Sequence, residues 1–75
     1  MSAAALNNCA LIRAIFRKYP EKQDATECLK GMVESVMGGE MPEEVLMAEG
    51  LECDYTLDLL HIAMEIETGR LKWKA

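Results

Sequence analysis

Seventy-five residues suffice for one small domain, and a domain of that size hides only about 60–65% of the surface its unfolded chain exposes, so association is the usual supplement to its stability. Apolar residues make up 51% of the chain, with only five Gly and two Pro, which excludes an intrinsically disordered composition, while no run approaches the about 18 apolar residues of a membrane span. The net charge of −5 conceals a block at residues 40–69 with nine acidic side chains and no Lys or Arg; phosphate would repel it, so direct nucleic-acid binding is not expected.

The N-terminus lacks the basic start and unbroken apolar core of a secretory leader, and Cys9, Cys28 and Cys53 are odd in number and widely spaced, giving neither a disulfide framework nor a CxxC pair. The expected location is the reducing cytoplasm. Residues 1–20 share one trait with a mitochondrial presequence, basic residues (Arg13, Arg17, Lys18) without an acid, but contain too few Arg and Ser to be read as one.

Helical periodicity and Pro/Gly punctuation predict an all-α fold, a small bundle of three to four helices at about 8–19, 24–37, 42–49 and 55–68, with residues 1–69 as a single domain and 70–75 as a short basic tail. In the first helix Cys9, Leu11, Ile12, Ile15, Phe16 and Tyr19 form the apolar side opposite Arg13 and Arg17, and Pro20 closes it. Asp24 stands as the expected N-cap of the second, with Glu27 at capping-box spacing. Ala25, Cys28, Leu29, Met32, Val33, Val36 and Met37 form its stripe, and Gly38-Gly39 ends it. Pro42 at N1, followed by Glu43 and Glu44, starts a short third helix that stops at Gly50. Asp54 or Thr56 is the expected cap of the fourth, which stops at Gly69.

The fourth helix has two apolar flanks. At 100° per residue Tyr55, Leu59, Ile62, Ala63 and Ile66 fall on one side and Leu57, Leu60 and Met64 nearly opposite, with a polar strip of Asp58, His61, Glu65 and Thr68 between. The second flank either meets another subunit or partner, or is enclosed by the bundle itself. Met41 and Met47, on either side of Pro42, have little room to bury in so short a helix; flexible thioethers suit adaptable surfaces. Trp73, alone in the basic tail, is a candidate interface anchor.

Chemistry is sparsely represented. There is one His and no nucleophile elbow, HExxH, P-loop or dinucleotide fingerprint. Asp58, His61 and Glu65, at i, i+3 and i+7, could supply ligands or an acid/base pair, but a metal site would need further ligands from another helix, so a solvated face is the expectation and no cofactor is assigned.

Small size, acidity and four helices resemble acyl carrier proteins, and Cys53-Asp54-Tyr55-Thr56-Leu57-Asp58-Leu59 resembles the stretch around their prosthetic-group serine. Tyr55 follows Asp54 where the family has that serine, so the chain lacks the hydroxyl that would carry phosphopantetheine, and the segment lies nearer the C-terminus than in the family. No family is assigned on this basis.

The functional expectation is a non-enzymatic protein–protein interaction module: an adaptor, a chaperone-like subunit or an anti-regulator. It should form a homodimer and engage a protein partner with a basic surface through Leu57, Leu60, Met64, Asp58, Glu65, Met41, Met47 and Trp73. The alternative is an acidic inhibitor that mimics nucleic acid and occupies a basic groove.

Overall fold

The computed structural model describes residues 9–72. Among these residues four helices follow one another: α1 (Ala10–Lys18), α2 (Lys22–Met37), α3 (Pro42–Ala48) and α4 (Thr56–Glu67), the last entered through a single 3₁₀ turn, Cys53–Tyr55. The all-α small bundle expected from the sequence is the fold, and no strand occurs among the described residues. The longest helix, α2, packs against each of the other three, and α4 also touches α1 and α3. Between them lies one cluster in which Leu11, Ile15, Val33, Leu46, Leu59 and Ile62 are the most deeply buried, each 1% exposed or less. Burying side chains of this kind contributes about 1.5–3 kcal/mol each.

Punctuation sets the boundaries. Pro20 disfavours helical geometry at the residue before it, and Tyr19 accordingly leaves α1 with φ −126° and ψ 89°. Gly39, Gly50 and Gly69 all adopt positive φ just past a helix end. After α2, the Gly39 amide reaches Val36 O at 3.0 Å and the Glu40 amide reaches Ser35 O at 3.0 Å, the paired bonds of a Schellman stop. The same pair recurs after α3, from Gly50 to Met47 and from Leu51 to Leu46.

Several local expectations are corrected. Helix α2 begins at Lys22, not 24. Glu21, extended at φ −74° and ψ 129°, is its N-cap, and no side chain caps it. Asp24 therefore sits inside the first turn, where the positive end of the macrodipole favours its charge, and the Asp24/Glu27 capping box does not form. The backbone cap of α4 is Tyr55, not Asp54 or Thr56; the Thr56 hydroxyl instead donates back to Cys53 O at 2.8 Å. On α1 the core stripe is Leu11, Ala14 and Ile15, at i, i+3 and i+4, and Phe16 lies too far round the helix to join it, remaining 41% exposed.

Candidate functional site

Helix α4 separates its two apolar flanks as its periodicity requires. Leu59, Ile62 and Ala63 enter the core, with Tyr55 and Ile66 half-buried beside them. Leu57, Leu60 and Met64 stand on the other side with 79%, 39% and 61% of their surfaces exposed. Among the described residues nothing encloses the second flank, which leaves a row of three large apolar side chains, spaced i, i+3 and i+7, facing outward. Met41 and Met47 are exposed as well. Met32, by contrast, is core. Trp73 lies outside the described residues.

The polar strip between the flanks is partly buried and bonded within the chain. Asp58 is half-buried, and its Oδ2 accepts the Leu11 amide proton at 3.1 Å. That amide belongs to the second residue of α1, one of the donors a helix start leaves unsatisfied, and neither an acid in the first turn of α1 nor the Cys9 side chain supplies a cap. Asp58 thus performs the N-capping of α1 from another helix, with its charge at the positive end of the macrodipole. Burial pushes the Cys9 thiol up, and Asp58 adds to the shift.

Glu65 is 5% exposed, and its Oε1 lies 3.3 Å from His61 Nε2. The expectation of a uniformly solvated face fails for both carboxylates for one reason. At 100° per residue Asp58 and Glu65 sit only about 40° and about 60° round from Ile62, whereas His61 lies nearer the outward flank. They are the inner edge of the strip and are drawn in with the core. His61 keeps about half of its side chain in solvent. Among the described residues no three His, Cys, Asp or Glu side chains come together as metal ligands.

A second polar cluster, not apparent from the sequence, is centred on Glu49. The Lys18 ammonium donates to the Glu49 carbonyl oxygen, lies 3.8 Å from Glu49 Oε1 and sits 5.5 Å above the Tyr19 ring. Tyr19 Oη and Cys28 Sγ donate to the same Oε1 at 3.1 and 3.5 Å. Burial first, then the adjacent Glu49 charge, pushes the Cys28 thiol up to about 11, and the hydrogen bond to Glu49 raises Tyr19. The cluster ties the C-terminal end of α1 to that of α3, where a cation meets the negative end of the macrodipole. Its partners are 21 to 31 residues apart, so no local pattern marks it.

The outward side of α4 thus presents apolar surface, and the carboxylates Asp58 and Glu65 make contacts within the fold. No helix among the described residues is long and apolar enough to cross a membrane. Comparison of the chain with protein-family models, with curated proteins and with solved structures finds no match in any of the three.

Proposed function

We propose that this chain is a small acidic protein–protein interaction module of the cytoplasm that works by binding, and that it forms a two-fold homodimer through the outward flank of α4. The observation that carries the reading is the exposed row Leu57, Leu60 and Met64 on a helix whose opposite side is already committed to the core. In an isologous seam each of the three occurs twice, once from each copy, the commonest closed arrangement for a small chain. Counted by the fractions still exposed, these six side chains contribute on the order of 5–11 kcal/mol, comparable with the about 4–15 kcal/mol that association costs in lost freedom. The dimer is accordingly reversible, and exchange of one copy for a partner's apolar helix is its mode of recognition. The three cysteines carry free thiols, in keeping with a reducing compartment.

Thermal unfolding followed at a series of chain concentrations tests the reading. A folded dimer melts higher as concentration rises. The midpoint should climb with concentration for the wild-type chain and stay fixed for Leu57→Glu/Leu60→Glu. A wild-type midpoint that does not move with concentration contradicts it.

A further inference from the structure

We infer that the shallow groove between α2 and α3 docks a basic amphipathic helix of another protein. The open groove has a volume of about 540 Å³, and Cys28, Gly31, Met32, Val45 and Ala48 supply its apolar lining. Its edges carry Glu27 from α2 and Glu40 and Glu44 from the α3 side, and no Lys or Arg lines it. None of these three carboxylates forms an ion pair among the described residues; Lys18 is engaged with Glu49 at one end. An apolar floor between two acidic edges is complementary to a helix bearing apolar residues on one stripe and Lys or Arg on both sides of it.

Gly31 gives the groove its openness. A glycine inside a helix is a destabilising choice, and a Cβ built on Gly31 meets nothing within 4 Å, so no packing within the chain requires it. Its effect is to leave the α2 backbone uncovered at the groove floor, where another helix can approach closely. This site is separate from the α4 flank and stands whether or not that flank forms a dimer.

The test is fluorescence anisotropy of the full chain with a labelled helical peptide of about 14 residues, about 21 Å long at 1.5 Å per residue, bearing Leu and Ala on one stripe and Lys on both its edges. We expect saturable binding that weakens at least about tenfold as salt is raised from low to moderate ionic strength. Binding should be lost in Gly31→Leu, which fills the groove with a better helix former, and in Glu40→Lys/Glu44→Lys, and should be kept in Leu57→Glu/Leu60→Glu. Circular dichroism of Gly31→Leu should show undiminished helicity. Absence of saturable binding, equal binding of the peptide with Glu in place of Lys, or persistence in Gly31→Leu overturns the inference. Displacement of the probe by a peptide of residues 69–75 assigns the groove to the chain's own tail and overturns the choice of partner.

Discussion

The Asp58 carboxylate on α4 accepts the backbone amide proton of Leu11 on α1 at 3.1 Å, across 47 residues of sequence. One acid thereby starts one helix from the side of another, and the two ends of the chain's core are held in register by a charge-assisted hydrogen bond. Such bonds contribute about 1.5–3 kcal/mol, and loss of an N-cap costs about 0.5–2 kcal/mol. Asp58→Ala should therefore lower stability by about 1–2 kcal/mol in urea titrations and increase amide exchange at Leu11, while Asp58→Asn, which keeps an acceptor, should lose less. An Asp58→Ala variant as stable as wild type, with Leu11 still protected, would show that the bond does not cap α1.

A second prediction contrasts two leucines two positions apart. Leu59 is fully buried, and Leu57 is 79% exposed. Leu59→Ala leaves a cavity and should cost about 2–5 kcal/mol. That is a large part of the about 4–11 kcal/mol expected for a chain of this length. Leu57→Ala should change the stability of the isolated chain by no more than about 0.5 kcal/mol. Chemical denaturation at low micromolar concentration measures both. Similar losses for the two would place the outward flank inside the core.

A third prediction concerns alkaline pH. The Cys28 thiol, held up at about 11 by burial and by Glu49, titrates later in the folded chain than in the unfolded one, whose ordinary value is 9.0. The folded state therefore holds its proton where the unfolded state has lost it. This contribution is complete below about pH 9 and is lost as pH rises through about 11. Tyr19, raised by the same carboxylate, acts in the same direction at higher pH. Stability should fall across this window, and Cys28→Ala should flatten the fall. In the folded protein the exposed Cys53 should react with a thiol reagent well before Cys28. Equal rates would contradict the protected position of Cys28.

A fourth prediction tests the buried end of the strip on α4. Because Glu65 is 5% exposed and His61 faces it at 3.3 Å, Glu65→Lys should destabilise by more than about 2 kcal/mol, the cost of placing an ill-matched charge in a buried position. The sequence alone favours treating Asp58 and Glu65 as a rim that can be reversed to Lys with the fold intact. The structure makes that pair of substitutions a test of stability, since both carboxylates are used within the chain. A Glu65→Lys variant with unchanged melting would return Glu65 to the surface.

What was legible in the sequence was local. Gly39, Gly50 and Gly69 mark helix ends by their backbone freedom, Pro42 starts α3, and the recurrence of Leu59, Ile62 and Ala63 identifies the inner side of α4. The outward row Leu57, Leu60 and Met64 follows from the same periodicity. What was not legible depends on tertiary approach: the Asp58 bond to Leu11 and the convergence of Lys18, Tyr19 and Cys28 on Glu49 join residues no local pattern connects. Asp24 is a good cap chemically, yet α2 starts at Lys22 behind an extended Glu21 with no side-chain cap, which no local signal in the sequence marks. Glu65 could have been recognised, since its angular distance from Ile62 is small, but charge usually places a residue outside.

In the proposed dimer α4 meets a second copy of the chain through Leu57, Leu60 and Met64. Light scattering of the purified chain at tens of micromolar is the most direct measurement, made beside Leu57→Glu/Leu60→Glu with helicity checked by circular dichroism. The wild type should give about twice the 8.4 kDa chain mass, and the equally helical variant the mass of one chain. A wild-type chain that scatters as a monomer, or a variant that remains dimeric, contradicts it.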